Sequence, residues 1–449
     1  MKFIKSLVLA ISLFGSLPAA FASDELDRCL DLLRAEHNEE GIPLCISAAE
    51  RGDTDANFFL GLAYYVESGA VPQDYKQAAH WFDNAAEQGH AGAQYYLGLM
   101  HYKGKGAPKD DKQAAHWFLK AAEQGNADAQ YNLGFMYRNG EGVPQDYRQA
   151  AHWYTKAAEQ GHAGAQYQLG LMYGQGEGVP QDDRQAVHWY TKAAEQGHPW
   201  GQTMLGLMLE LGHGVLQNYK QAAHWYTKAA EQGYADAQYN LGLMYDKGVG
   251  LPQDDKQAAH WYTKAAEQGY ADAQYNLGLM YDKGVGLPQD DKQAVHWYTK
   301  AAEQGHAGGQ AMLGLMFEFG HGVLQNYKQA AHWYTKAAEQ GQAGAQYSLG
   351  LMYDRGEGIP QDDKQAVHWL TKAAEQGQAD AQLSLGVMYY LGEGVPKDLV
   401  EAYAWFNVSA AQGNERSRES RDLVAEVMTL SQLEKAQELS KVYYEKYVK

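Results

Sequence analysis

The chain has little of what most compact catalytic domains depend on. Its 449 residues include only 2 cysteines and 11 prolines. Valine and isoleucine are few beside alanine, leucine, tyrosine and tryptophan, so the composition favours helix over strand. After one short apolar run near the N-terminus, no stretch approaches the roughly 20 apolar residues of a membrane-spanning helix. The sequence therefore predicts an all-α protein without an integral membrane segment.

Basic residues are in the minority. Lys and Arg number 37 against 55 Asp and Glu, which gives a formal net charge of −18. Nucleic-acid binding needs a basic surface that neutralises phosphates, and docking on anionic lipid needs the same. The charge argues against both. We expect it to keep an exported protein in solution, with a basic partner as the alternative reading.

The usual signatures of catalysis are also missing. No serine has a lysine three residues later, and the patterns G-x-S-x-G, H-E-x-x-H and the P-loop do not occur. The many acidic residues recur at intervals of 36 residues, which indicates capping and surface roles rather than one acid–base pair. The sequence predicts no catalytic residue, no cofactor and no metal site.

The N-terminus has the pattern of a secretory signal. Lys2 and Lys5 precede a short apolar run over residues 6–17, and Ala20-Phe21-Ala22 fits the small-x-small cleavage pattern. We predict a signal peptide over residues 1–22, cleaved after Ala22, and a periplasmic or secreted location. In an oxidising compartment, Cys29 and Cys45 favour one disulfide within an N-terminal helical hairpin, and two buried free thiols are the alternative.

The most regular feature is a dipeptide, His-Trp, that recurs every 36 residues. The nine histidines are His80, His116, His152, His188, His224, His260, His296, His332 and His368, and a tenth copy has Ala404 before Trp405. A fixed period of this length means one supersecondary unit stacked many times, each burying its apolar face against its neighbours.

Residues 234–269 serve as the template of the unit. A first helix, A, is predicted from Ala235 to Lys247, with an apolar stripe at helical spacing and an internal Gly242 that indicates close approach of a neighbouring helix. A Gly-Val-Gly-Leu-Pro turn ends it. Asp254, with Gln257 three residues later, fits a capping box for a second helix, B, which runs to about Gln268. Gly269 then stands where a left-handed residue is needed.

These motifs carry a family resemblance. The pattern A-x-A-Q-x-x-L-G-x-x-Y-x-x-G-x-G-V, followed by A-x-x-W-Y-x-K-A-A-E-Q-G, resembles the Sel-one-like repeats, which are similar to tetratricopeptide repeats. It covers ten copies over residues 53–413. Residues 23–52 and 414–449 are predicted as helical end caps, with helices at Glu415–Val427 and residues 430 to about 444, the second begun by a capping box at Thr429.

The resemblance implies a right-handed α-α superhelical solenoid whose A helices line a concave face that binds proteins. On that face we predict partner-binding side chains, with packing of part of the tyrosine row between repeats as the alternative. The candidates are Tyr95, Tyr131, Asn132, Tyr167, Trp200, Met204, Tyr239, Asn240, Tyr275, Asn276, Met312 and Tyr347.

Two copies depart from the template together. Residues 198–233 and 306–341 replace the tyrosine with Thr203 and Ala311, place Met204 and Met312 beside them, and replace the loop proline with leucine. A docking pocket near Trp200 and the methionines is one interpretation, and drift after duplication is the other. The His-Trp ladder is predicted to place tryptophan in the core and histidine in a solvated outer row, with weak acid sensing as the alternative.

These inferences lead to one functional prediction: an exported, non-catalytic scaffold for protein or peptide partners, acting in envelope maintenance or host contact. Two alternatives remain. Some exported, cysteine-rich relatives resemble β-lactam-binding or β-lactam-hydrolysing proteins, but they look like chains with a disulfide in each repeat, whereas only Cys29 and Cys45 occur here. The other alternative is a structural component associated with peptidoglycan or with envelope proteins.

Overall fold

The fold is helical throughout the part of the chain that can be described. The computed structural model describes residues 24–35, 37–67 and 71–448. Within these ranges it contains no strand and the following helices: α1 (Asp24–Arg34), α2 (Asn38–Glu50), α3 (Thr54–Tyr65), α4 (Tyr75–Glu87), α5 (Ala91–Lys103), α6 (Asp111–Glu123), α7 (Ala127–Asn139), α8 (Tyr147–Glu159), α9 (Ala163–Gln175), α10 (Asp183–Glu195), α11 (Pro199–Leu211), α12 (Tyr219–Glu231), α13 (Ala235–Lys247), α14 (Asp255–Glu267), α15 (Ala271–Lys283), α16 (Asp291–Glu303), α17 (Ala307–Phe319), α18 (Tyr327–Glu339), α19 (Ala343–Arg355), α20 (Asp363–Glu375), α21 (Ala379–Leu391), α22 (Leu399–Ala411), α23 (Glu415–Val427) and α24 (Leu430–Tyr447). The predicted signal peptide and its cleavage site lie outside the described residues. No helix in these ranges is long and apolar enough to cross a membrane.

Helices α3 to α22 pair into ten repeats, numbered here one to ten from α3/α4 to α21/α22. The all-α repeat architecture predicted from the sequence is confirmed. Two compact units divide the chain, one ending at Lys228 and the other beginning at Ala229. Within each unit the same local geometry recurs.

Both ends of each helix follow from local sequence. In the template repeat, α13 ends at Gly248, which is left-handed with φ of 67°. Asp254 then caps α14 by accepting hydrogen bonds from the N–H groups of Lys256 and Gln257 at 3.0 Å each. Gly269, after α14, has φ of 91°, as predicted.

The capping box predicted at Asp254 is only half formed. The Gln257 side chain does not return to the Asp254 N–H, because that N–H already donates to the Tyr245 carbonyl at the end of the A helix. A full capping box does occur at Thr429 and Gln432, where it begins α24 as predicted. That helix ends at Tyr447, three residues beyond the predicted end.

The core lies mainly between repeats. A typical cluster joins Ala150 and Ala157 of a B helix with Leu169 and Met172 of the next A helix, and Trp189 of the next B helix closes it. The ladder tryptophans belong to this core, as predicted: six of the ten are buried, and Trp81, Trp117, Trp225 and Trp333 are partly buried. Stability thus comes from apolar area shared by neighbouring repeats, as in other repeat proteins.

The internal glycine of each A helix lies against a large side chain of the B helix, which is an aromatic ring in every repeat but the ninth. A Cβ on Gly242 would stand 2.7 Å from Cδ1 of Tyr262, which belongs to the B helix of the same repeat and is 1% exposed. Equivalent glycines meet Phe82 in the first repeat and Leu370 in the ninth. Close approach was predicted, but the residue responsible, the one after the ladder tryptophan, was not.

A buried glutamine joins successive repeats. Gln274 of α15 is 3% exposed, and its Nε2 donates to the Ala266 carbonyl of the preceding repeat at 3.1 Å. Its Oε1 accepts from Nε2 of Gln304, at the end of its own repeat, at 2.7 Å. Gln130, in the other unit, makes the same pair of bonds with Ala122 and Gln160. The sequence pattern contains this glutamine, but its bridging role was not predicted.

The chain ends are covered by additional helices. A disulfide joins Cys29 of α1 to Cys45 of α2, with Cα atoms 5.4 Å apart, inside an apolar cluster that also contains Leu60 of the first repeat. At the other end, Tyr443 of α24 stacks near Trp405 with ring centroids 4.5 Å apart. The last ladder tryptophan is thereby buried without a following repeat.

Candidate binding surface

The predicted partner-binding residues all lie on A helices. Eleven of the twelve are partly buried, and Trp200 is 39% exposed. Most of them occupy the fifth and sixth positions of their helices, so the third to ninth repeats each present one aromatic or small side chain followed by one polar or methionine side chain. Within each unit, successive helices therefore place these side chains side by side.

Part of the tyrosine row packs between repeats. The ring of Tyr131 lies 5.8 Å from that of Tyr154 in its own repeat and stacks 4.6 Å from His162 at the start of the next A helix. Tyr275 repeats this arrangement with Tyr298 at 6.1 Å and His306 at 4.7 Å. One face of these rings thus stabilises the joint, and only the remaining area faces solvent.

Polar neighbours of the row bond within the chain as well. Asn132 donates through Nδ2 to the Asp128 carbonyl at 2.9 Å and also hydrogen-bonds the hydroxyl of Tyr95. Asn276 similarly hydrogen-bonds the hydroxyl of Tyr239 across a repeat joint. Burial raises the pKa of Tyr239 above its ordinary value, so the tyrosines of this row are protonated donors at neutral pH.

Tyr275 differs from these tyrosines because the repeat that follows it contributes a methionine instead of an asparagine. The eighth repeat has Met312 where the seventh has Asn276, and the side chains of Tyr275 and Met312 pack beside the same apolar cluster. No side chain of the described residues hydrogen-bonds the Tyr275 hydroxyl, and burial alone raises its pKa. Tyr275 and Met312 therefore combine an apolar surface with a hydroxyl that no side chain of the described residues partners.

A set of histidines that sequence reasoning missed forms the joints of this surface. His90, His162, His198 and His306 precede A helices and cap them, and each accepts a backbone N–H at Nδ1. The signal was a histidine at the last position before a predicted helix, where Ser, Thr, Asp or Asn is usual.

Three of these rings also bond the preceding repeat. Nε2 of His162 lies 3.4 Å from Asp128, and Nε2 of His306 lies 3.2 Å from Asp272. His90 forms the same contact with Asp55 at 3.5 Å. Acidic residues on the A helices are thus used in repeat joints, which reduces the charge available to a partner.

In the fifth and eighth repeats, the loop between the two helices, called the corner here, exposes an apolar side chain. Leu216 and Leu324 replace the loop proline and are 89% and 92% exposed. In the fifth repeat, Gln217 holds the corner closed by donating to the Glu210 carbonyl at 2.8 Å and to the Tyr219 hydroxyl at 2.9 Å. The eighth repeat has the same bonds, so the two corners share one local design.

The ladder histidines form an exposed row on the B helices, as predicted. Their rings stand edge-on to the following tryptophan, for example 5.0 Å between His260 and Trp261. On its other side, Lys264 lies over the Trp261 ring at 4.6 Å. The described residues contain no group of three or more His, Cys, Asp or Glu side chains that could hold a metal ion. In the second to ninth repeats, the B helices present the same row of histidine and lysine, which flank the tryptophan ring.

Comparison with known proteins assigns this architecture to a class. The Sel1 repeat family model matches residues 54–90, 91–126, 127–162, 163–198, 201–234, 235–270, 271–306, 307–342, 343–378 and 379–414. The chain is thus a repeat protein of the tetratricopeptide-like α-solenoid class, and it belongs to the Sel1 repeat family. The fold of this family is typical of non-catalytic scaffolds for protein–protein interaction.

Two solved structures are similar over most of their length. One is c5321, described as a protective antigen present in uropathogenic Escherichia coli strains and displaying an SLR fold. It shares 39% identity with a TM-score of 0.87, over 99% of this chain and 95% of that one. The other is a Sel1 repeat protein from Oxalobacter formigenes, with 38% identity, a TM-score of 0.54, and coverage of 69% and 89%. No curated protein sequence matched the chain.

Proposed function

We propose that this protein is an exported, non-catalytic scaffold that binds protein or peptide partners on the surface of its A helices. The observation that carries the proposal is the contrast between half-exposed, variable A-helix side chains and the uniform B-helix row. A partner can distinguish one repeat from another only where the repeats differ. The A-helix surface does differ, through Tyr, Asn, Met and Trp200.

The Tyr275–Met312 step is the proposed centre of one contact region. Tyrosine offers a large apolar area with a polar tip at small entropic cost, and methionine adapts to irregular shapes. Met204 occupies the same place in the fifth repeat, near Trp200. Tyr239, Asn240, Asn276 and Tyr347 extend this region within the same unit. Tyr95, Tyr131, Asn132 and Tyr167 form the corresponding proposed surface of the other unit.

Two observations support export and contact with the outside of the cell. The Cys29–Cys45 disulfide is suited to an oxidising compartment, and the N-terminal sequence has the pattern of a signal peptide. The similar structure c5321 is named as a protective antigen, which favours host contact over internal envelope maintenance. We therefore place the protein in the periplasm or outside the cell.

Site-specific photocrosslinking would test the binding surface. A benzophenone amino acid replaces Asn276 on the A-helix surface or, as the matched control, exposed His296 on the B helix of the same repeat. We expect a discrete protein adduct in intact bacteria or with host-cell surface extract from position 276 and not from 296. Adducts from 296 alone, or from neither position, would contradict the proposal.

Affinity for the crosslinked partner then defines the contact. Met312→Glu should weaken binding at least about tenfold, because a charge would be buried in an apolar contact. Tyr275→Phe should weaken it about fivefold, the worth of one hydrogen bond. His296→Glu should leave affinity unchanged, and circular dichroism should show equal helicity in all three variants.

A further inference from the structure

The four histidine caps depend on an unprotonated ring nitrogen. Nδ1 accepts the N–H of Ala93 at 3.1 Å, of Ala165 at 3.0 Å, of Gly201 at 3.2 Å and of Gly309 at 2.9 Å. An imidazolium ring has two N–H donors and no acceptor. Each cap is therefore lost when its ring takes up a proton.

In three of the four joints, an aspartate beside the histidine compensates for protonation of the ring. His90, His162 and His306 have Nε2 beside Asp55, Asp128 and Asp272, respectively, at 3.5, 3.4 and 3.2 Å. A protonated ring loses its cap there but gains an ion pair with the preceding repeat. The contact between repeats is preserved in a different form.

His198 has no such compensation. Where the other joints have aspartate, the fourth repeat has Gly164, and no carboxylate of the described residues pairs with the His198 ring. The groups that face it are His162, which lies at the start of α9, and Tyr167, whose ring stacks at 5.3 Å, and neither is an acid that could pair with a protonated ring.

The remaining neighbours of His198 offer no negative charge to the ring. Helix α10 contributes the Ala193 carbonyl, which accepts the backbone N–H of His198 at 3.0 Å. Lys192 of α10 lies over the Trp189 ring, and Glu195 of the same helix forms no ion pair with His198. On its own helix, the positive end of the dipole of α11 faces the ring.

We propose that the joint between the fourth and fifth repeats is an acid-sensitive hinge, in which protonation of His198 uncaps α11 and loosens it from the fourth repeat. Trp200, two residues further along α11, moves with the helix start.

The sign of the pH dependence follows from the surroundings. Desolvation and the charge of His162 lower the pKa of His198 below its ordinary value of 6.5. The folded joint therefore prefers the neutral ring. Its contribution to stability is complete above about pH 6.5 and is lost progressively as the pH falls below that value.

Hydrogen exchange of the full chain at pH 7.5 and 5.5 would test the hinge, after correction for intrinsic exchange. Peptides covering residues 198–206 should lose about fivefold in protection at the lower pH, the worth of one helix cap. The equivalent peptides at 162–170 and 306–314 should lose much less. Equal changes at all three places, or none at 198–206, would overturn the proposal.

Two variants separate the hinge from general acid unfolding. His198→Asn installs the cap that Asn126 provides in the third repeat, and it cannot titrate. The double change His162→Asn with Gly164→Asp reproduces residues 126 and 128, because a histidine cap leaves only 3.1 Å for a Cβ at Gly164. His198→Asn should abolish the acid response and the double variant should reduce it, whereas a full response in His198→Asn would contradict the assignment.

Discussion

The second helices of the repeats are nearly identical along the chain, whereas the first helices differ from one repeat to the next. The B helices pack alanines, a tryptophan and a large residue against neighbouring helices, and from the second to the ninth repeat they present the same row of histidine and lysine. The A helices keep a buried glutamine, leucine, glycine and methionine but change their half-exposed residues. Uniformity thus accompanies the joints that every repeat must make, and variation is found where a partner can be contacted.

The joints between repeats share most of their contacts but are not chemically identical. Most residues that bridge repeats are shared, as with the Gln274 bonds to Ala266 and Gln304. The capping residue and the acid beside it vary, so the joint at His198 differs chemically from that at His162. The predictions below test which shared positions are structural and which surface positions can change freely.

The largest contrast is expected within one helix. Gly170 and Gly174 both lie in α9, but a Cβ at Gly170 would stand 2.6 Å from Cε1 of Tyr190, while at Gly174 the nearest atom is 3.8 Å away. Gly170→Ala should cost about 2 kcal/mol through overpacking, and Gly174→Ala should stabilise by up to about 1 kcal/mol. Urea unfolding followed by circular dichroism gives both values, and equal effects would refute the ring-contact explanation.

Loss of the glutamine bridge should cause the second largest fall in stability. Gln274→Leu removes the hydrogen bonds to Ala266 and from Gln304, and we expect the free energy of unfolding to fall by about 1.5 kcal/mol. Gln304→Ala removes only the exposed partner and should cost less than half as much. Hydrogen exchange should locate the loss at the joint between α14 and α15, and a distant or uniform loss would argue against a bridging role.

The helix caps should contribute somewhat less. Asp290 accepts the N–H groups of Lys292 and Gln293 at 3.0 Å each, so Asp290→Ala should destabilise by about 1 kcal/mol. Asp290→Asn should be nearly neutral, since Asn326 caps α18 in the eighth repeat. Thermal unfolding of the two variants beside the parent chain checks this, and an equal loss in both would remove the cap as the cause.

The exposed histidine row should be the least sensitive. His260→Gln changes a solvated B-helix side chain, so stability should stay within about 0.5 kcal/mol of the parent at both pH 7.5 and pH 5.5. The comparison with His198→Asn is direct, because only the capping histidine should change the acid response. A clear pH effect at His260 would instead favour acid sensing by the outer row.

Much of the architecture could be predicted because each signal is local and repeated. The A and B helices, their glycine ends and the helical fold class follow from a pattern that recurs ten times. The capping box predicted at Asp254 was wrong in one of its two hydrogen bonds. The Asp254 N–H does not bond the Gln257 side chain, because the Tyr245 carbonyl of another helix accepts it instead. That competitor is twelve residues from Gln257 along the chain, beyond the reach of a three-residue motif.

The binding surface was less predictable than the fold. Period and composition place Tyr131 and Tyr275 on the A helices, but they do not indicate that each ring stacks on a histidine of the next repeat. Tyr262 was missed as the most buried aromatic of its repeat, because tyrosine is common both in cores and on surfaces. Its role is visible only once the facing Gly242 is in place.

By itself the sequence determined the repeat length, the helix boundaries and the apolar stripes, because these depend on backbone preferences and side-chain spacing within a few residues. Tertiary structure decided which ring faces each glycine, which carbonyl each glutamine bridges and which histidine lacks an acid. Those contacts join residues 8 to 35 positions apart. Their strength depends on distance and burial in the folded state, which no short sequence window contains.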